Sequence, residues 1–381
     1  MSNILDYIEW RGDLAFDERP FNDVDNLILS ELAYADLKGV FGSSVRDDAI
    51  SVTDAYRKYV ELGKDQSKFI CNPQPAFEKC AGTARFGNIM VRDYVDLLNA
   101  GNRFQFAAMT FVLKEGLAYV AFRGTDDSIA GWREDLNFTF MKATPAQLCA
   151  AEYLDRAARN NPDCRIFVGG HSKGGNLAMY AAAFCEEACR ARVDAIYSND
   201  GPGFNGFIAE NPNYQNILHK VTLIIPEGSL VGIMLFNKQE KKIIQSSGKT
   251  GVGQHIPYNW LLNKTGFVPA ERQSSVSVHM DKVLDEWLVR LNARQREDFV
   301  NIVFDTLESS GAKTFTEINA NKWTYYNAIW KAATRLAPEQ IGTLLEVMGE
   351  FVRVGREIIR DEKRQTKAVK GTKELLPKTD A

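Results

Sequence analysis

The segment Gly170-His171-Ser172-Lys173-Gly174 sets one serine among glycines, between a run of strand formers and a run of helix formers. A serine on such a strand-to-helix turn has its hydroxyl exposed at the carboxyl end of a sheet strand. The flanking glycines tolerate the unfavourable backbone angles and let helix and strand approach closely. Amides at the helix start then face any anion formed at Ser172. These features suit a nucleophile for acyl transfer. The bland alternative is a Gly-rich turn that binds phosphate or merely connects, but the Lys-Ser/Thr pair of a phosphate loop does not follow.

A nucleophilic serine needs a base, and the chain has four histidines. His171 lies inside the turn and points the wrong way. His219 precedes the strand at 220–225 and so sits at its amino end. His279 falls near the start of the C-terminal helices. His255, in GVGQHIPYNW, follows the last strand signal in a Gly-flanked loop and is the best candidate. Two carboxylates compete to orient it. Asp200 stands at a strand end in SNDGPGF, and Glu227 stands after the next strand in PEGS. Asp200 is preferred because a short side chain at a strand end is held more rigidly. A tetrahedral oxyanion needs two donors. The Lys173 amide is one. Thr125, where AFRGT leaves a strand, offers the other, with Asp135 or Asp126 orienting its hydroxyl. Arg123 and Trp132 read as ion-pair and packing residues.

These residues need a scaffold. The first hundred residues read as helical, with leucines at helical spacing in 22–37 behind Asn and Asp caps. Residues 104–124 read as two strands joined by a tight turn. Thr144-Pro145 opens a helix that runs to about residue 160. A short strand (CRIFVG), a helix over 174–189, and strands at 193–198 and 220–225 follow. Strands alternating with helices indicate βαβ units, hence an α/β fold with a mostly parallel sheet covered on both faces. Gly174, Ala178 and Ala182 should face that sheet. After 276 only helices are expected, at 280–292, 294–307, 323–336 and 338–359. They would form either a cap over the site or a buttress on the sheet edge. Residues 204–216, with aromatics among turn formers, are a candidate lid. The expected division is a core with its helical N-terminal segment (1–275), C-terminal helices packed on it (276–360), and a polar flexible tail (361–381).

The order of FRGT, GWREDL, GHSKGG, a Gly-Pro strand exit and HIPYNW resembles the class 3 (fungal-type) lipases. More closely, the chain resembles a bacterial family of lipase-like α/β-hydrolases classed as a domain of unknown function. The likeness runs from residue 6 to about 290 through seven segments in matching order. It implies an α/β-hydrolase fold and an oxyanion donor at Thr125 braced by Asp135. Two positions depart from the lipase pattern. Ser229 stands where the lipases carry their catalytic Asp, which leaves the acid to Asp200 or Glu227. Lys173 replaces an apolar residue, which argues against long bare acyl chains and suggests contact with an anionic substrate.

The leading expectation is a carboxylic ester hydrolase with Ser172, His255 and Asp200 as its triad and Thr125 and Lys173 at the oxyanion. A thioesterase or acyltransferase on the same residues is the second, and an inactive scaffold the third. The mechanism needs no cofactor and no metal. A net charge of −3 supplies no electrostatic reason for a nucleic-acid partner. The expected partner is a small ester or lipid-like molecule. No apolar run approaches the roughly 20 residues that span a bilayer. The N-terminus lacks the pattern of a secretory signal, and no two of the six cysteines form a CxxC pair. The expectation is a cytoplasmic protein with reduced thiols and no metal at Cys185 and Cys189.

Overall fold

The computed structural model describes residues 2–41, 49–64, 72–99, 104–126, 128–237, 239–249 and 251–374. One eight-stranded sheet organises the chain. Its strands are β1 (Ile50–Ser51), β2 (Met90–Asn99), β3 (Phe104–Lys114), β4 (Leu117–Phe122), β5 (Arg165–His171), β6 (Val193–Asn199), β7 (Val221–Pro226) and β8 (Lys241–Ile244). Spatial order equals chain order. Pairings from β1 to β4 are antiparallel, and those from β4 to β8 are parallel. The α/β class is as expected. The parallel character belongs to five strands, with an antiparallel flank at β1–β3.

β2 corrects the reading of an all-helical first hundred residues. Its register with β3 slips between Arg92 and Val95, and Asp93 takes a positive φ of 55°. That bulge breaks the alternation by which a strand is recognised.

Helices cover both faces. Before β2 lie α1 (Ile4–Arg11), α2 (Asp23–Leu32), α3 (Val52–Glu61), α4 (Gln74–Ala81) and α5 (Ala84–Gly87). Asn22 caps α2 with its side chain, and Asp25 returns the bond to the Asn22 amide. After β4 come α6 (Ile129–Asn137) and α7 (Pro145–Asn160), the latter opened by a Thr144 capping box with proline at its first turn. The β5–β6 crossover holds α8 (Lys173–Phe184) and α9 (Glu187–Arg190). The helix expected over 174–189 therefore breaks at Cys185, whose extended backbone (φ −67°, ψ 168°) interrupts it.

Burial alternates along β4 as a strand of period two requires. Tyr119 and Ala121 join the core under α1–α4, while Val120 and Phe122 join the core under α7 and α8. Gly174 lies so close to β4 that a Cβ there would come within 2.1 Å of the Phe122 carbonyl oxygen. Ala178 and Ala182 are fully buried behind it.

Between β6 and β7 lie α10 (Gly206–Ala209) and α11 (Pro212–Ile217). This is the segment read as a lid, and it is tied down. Phe204 packs edge-on against Tyr214 at 4.8 Å, and Asn205 Nδ2 donates to the carbonyls of Phe138 and Met141. After β8 come α12 (Gly251–His255), α13 (Ser275–Arg290), α14 (Ala293–Glu308), α15 (Phe315–Ala320), α16 (Lys322–Ala333) and α17 (Pro338–Glu374). α17 runs beyond the end expected at 359, through the first part of the segment read as a tail. Residues 375–381 of that segment lie outside the described residues. No described helix is long and apolar enough to cross a membrane.

The C-terminal helices pack on α6 and on the segment after β7. Val300 and Phe304 of α14 and Ile318 of α15 share a core cluster with Ile129 of α6. Arg133 of α6 reaches Asp305 and Glu308 of α14. Ser277 Oγ of α13 donates to the Ser229 carbonyl at 2.7 Å. Both contacted segments follow carboxyl ends of sheet strands, the edge where Ser172 lies.

Candidate active site

Ser172 occupies the turn between β5 and α8 with φ 58° and ψ −131°. A positive φ at a residue bearing a Cβ is strained, and it persists only where the surroundings enforce it. Here its amide donates to the Asn199 carbonyl of β6 at 3.0 Å, and its carbonyl accepts from the Gly175 amide at 2.9 Å. The loop after β4 presses against this turn. A Cβ on Gly124 would stand 3.0 Å from the Ser172 Cβ and 2.6 Å from the His171 carbonyl oxygen. That loop therefore requires glycine next to Thr125.

The structure brings His255 and Asp200 together. His255 Nδ1 lies 2.6 Å from Asp200 Oδ2, with the carboxylate fully buried. Asp200 itself takes a positive φ of 48° at the end of β6. Its other oxygen accepts from the Ser229 hydroxyl and from the Gly232 amide at 3.1 Å. Ser229, the departure from the lipase pattern, is thus a donor to the neighbouring carboxylate. Glu227 makes no hydrogen bond or ion pair with His255 among the described residues. Its amide donates to the Ile244 carbonyl, and its carbonyl accepts from Ser274. Neither Ser172 Oγ nor His255 Nε2 takes a hydrogen bond among the described residues.

His171 is fully buried beneath the turn, and burial drives its pKa well below the usual histidine value, with His255 adding to the effect. The neutral ring donates from Nε2 to the His255 carbonyl at 2.9 Å and stacks on the His255 ring with centroids 4.5 Å apart. With that tautomer fixed, Nδ1 accepts from the Tyr34 hydroxyl at 3.2 Å. Glu31 Oε1 stands 3.6 Å from the same nitrogen, and burial pushes the Glu31 carboxyl up to about 8. The sequence reading missed Tyr34 and Glu31. Glu31 lies on α2 among other polar residues (Asp23, Asp25, Asn26 and Ser30) and Tyr34 just after it, so no local signal marked either.

On the other side of Ser172, the backbone amides of Thr125 and Lys173 take no hydrogen bond among the described residues. Thr125 Oγ1 and Asp135 Oδ2 are hydrogen-bonded at 2.5 Å. Asp126 serves elsewhere, accepting from the Ser128 amide. Arg123 forms a two-pronged ion pair with Asp96 at 3.1 and 3.2 Å. Trp132 is half exposed and meets Phe315 edge-on.

Lys173 corrects an expectation. Its ammonium is buried, donating to Gln105 O at 3.1 Å, Gln105 Oε1 at 3.2 Å and Glu134 Oε2 at 3.2 Å. A Lys committed to a buried ion pair is not offered to an anionic substrate. The remaining histidines are distant in role: His219 lies at the amino end of β7, and His279 pairs with Glu362 across α13 and α17.

Five cysteines are free, and Cys71 lies outside the described residues. Asp155 joins Cys185 and Cys189, with ligand atoms within 4.8 Å of one another. Both thiols already have main-chain acceptors, the carbonyls of Ala182 and Leu154.

No curated protein matches the chain. Among solved structures it is similar to the native Rhizomucor miehei lipase propeptide complex, at 14% identity and a TM-score of 0.33, covering 68% of this chain and 90% of that one. A two-residue deletion mutant of the same complex matches at 14% identity and a TM-score of 0.32, over 65% and 92% of the respective chains. The family comparison matches residues 80–305, a span that holds β2–β8, the turn at Ser172 and the Asp200–His255 pair. The chain belongs to the Mbeg1-like family.

Proposed function

We propose that this protein is a serine hydrolase of carboxylic esters, working through an acyl-enzyme on Ser172. The observation that carries this reading is the buried Asp200 held 2.6 Å from His255 Nδ1, beside a serine in a strained strand-to-helix turn. Ser172 Oγ attacks the carbonyl carbon while His255 Nε2 takes its proton. The same proton passes to the leaving alcohol, and water repeats the sequence to release the acid. Asp200 fixes the His255 tautomer and stabilises the imidazolium, with Ser229 and Gly232 holding the carboxylate in place. The free amides of Thr125 and Lys173 stabilise the tetrahedral oxyanion. The missing Ser172–His255 hydrogen bond is consistent with this scheme, because catalytic contacts of this kind often tighten only with substrate bound.

A thioesterase or acyltransferase would use the same acyl-enzyme, so the leaving group must be tested directly. Hydrolysis of p-nitrophenyl esters and of acyl-thioesters should be compared for wild type and Ser172→Ala. Turnover of the esters that Ser172→Ala abolishes supports the reading, and a preference for thioesters redirects it to the second activity. No turnover of either class by the folded wild type would favour the inactive scaffold.

A further inference from the structure

We propose that Asp135 works as a neutral carboxylic acid that donates to Thr125 Oγ1, which turns the Thr125 hydroxyl proton toward the oxyanion. This deepens the serine-hydrolase reading and rests on it. A threonine hydroxyl has one proton. If Asp135 is a carboxylate, Thr125 must spend that proton on the 2.5 Å contact and only its amide serves the oxyanion. If Asp135 is an acid, the same contact runs the other way and Thr125 gives two donors.

The surroundings favour the acid. The positive charge that acts on it, Lys173, is already matched by Glu134, and both are buried. Ionised Asp135 would add an uncompensated negative charge, and charges are rarely buried unpaired. Its Oδ1 is buried without a hydrogen-bond partner. Burial pushes the carboxyl up to about 7, with Glu134 and Asp126 adding to the rise and Lys173 and the Thr125 contact opposing it. From α14, Asp305 and Glu308 are engaged with Arg133. From β3, the neighbouring Gln105 is neutral.

The test measures the rate of Ser172 labelling by a fluorophosphonate from pH 6 to pH 9, for wild type and Asp135→Asn. An amide keeps an N–H for Thr125 Oγ1 at every pH. The ratio of variant to wild type cancels any pH dependence from His255, which both share. It should rise through neutral pH by up to tenfold per unit, toward the roughly 10²-fold value of one oxyanion donor. Infrared difference spectra of wild type against the variant should show a protonated-carboxyl band at pH 6 that disappears by pH 9. A constant ratio, or no such band, overturns the proposal. Failure of wild type to label at any pH counts against the serine-hydrolase reading, and the infrared band still decides the protonation state.

A separate observation concerns α16. We infer that this helix docks on an anionic bilayer surface. Trp323, Tyr326 and Trp330 form one stripe at spacings of three and four, exposed by 85%, 52% and 71%. Tyr325 and Ile329 anchor the other side in the core shared with α14. From 321 to 336 there are three basic residues, Lys322, Lys331 and Arg335, and no Asp or Glu. None of the three is in an ion pair among the described residues. At about 100° per residue, Lys322 and Lys331 flank the aromatic stripe on both sides. Aromatics sit at the headgroup level and flanking lysines bind anionic lipid while covering the apolar boundary. The helix lies beyond the matched span of 80–305.

Cosedimentation with phosphatidylglycerol-containing vesicles, against phosphatidylcholine alone, tests this. Binding should need phosphatidylglycerol, weaken with salt, and fall about tenfold or more in Trp323→Ser/Trp330→Ser as apolar contact is lost. Equal binding to both vesicles, no binding, or an unaffected double variant overturns the inference. So does a dimer that the double variant abolishes without any vesicle binding.

Discussion

Asp200 is fully buried at the end of β6. Its buried oxygens face His255 on one side and Ser229 and Gly232 on the other. Asp200→Asn should therefore lower the rate of Ser172 labelling by about 10³–10⁴, the cost of a wrong imidazole tautomer. Glu227→Gln should leave it within about twofold. Ser229→Ala removes one hydrogen bond to a buried charge, worth about 1.5–3 kcal/mol, and should fall between the two. The same rate measurement checks all three. Glu31 gives a stability prediction with a definite sign. Burial pushes its carboxyl up to about 8 in the folded chain, against roughly 4.3 for an exposed glutamate. Between those values the unfolded chain binds fewer protons than the native one, so stability falls as pH rises. Glu31→Gln removes that slope. Thermal unfolding should show the variant gaining on wild type from pH 5 to pH 8, by several kcal/mol at the upper end.

Among the elements, α6 is the one that several others fix. Glu134 accepts from the Ala146 amide at the start of α7, from the Gln105 amide on β3 and from Lys173 beside the nucleophile. Lys173→Met would strand Glu134 as a buried unpaired charge and should cost about 3–5 kcal/mol. Adding Glu134→Gln should recover part of that loss in the same denaturant titration, because the stranded charge is gone. Elements with local signals were legible in the sequence. α7 carries its cap and proline, and the turn at Ser172 carries its glycines. What escaped was set by tertiary context. The β2 bulge hides the alternation, the break at Cys185 has no Gly or Pro to mark it, and the Lys173 partner lies 39 residues away in Glu134.

For the molecule as a whole, two cores sandwich the sheet and a third joins the C-terminal helices to α6. Phe304 is 4% exposed in that third cluster. Phe304→Ala should cost about 3–5 kcal/mol and loosen the C-terminal helices first, seen as a separate low-temperature step in calorimetry. The α/β alternation, the triad candidates and their order along the chain were readable because each depends on local spacing. Asp200 was preferred over Glu227 on side-chain length alone, whereas the strand end that His255 reaches is set by tertiary contact. The packing of α14–α16 on α6 depends likewise on contacts made over more than a hundred residues of separation. Activation of Ser172 is read by fluorophosphonate labelling of wild type, Ser172→Ala and His255→Ala, followed by intact mass and peptide mapping. A single adduct on Ser172 that both variants lose is expected. A folded wild-type protein that takes no label, or takes it on another residue, would contradict an activated Ser172.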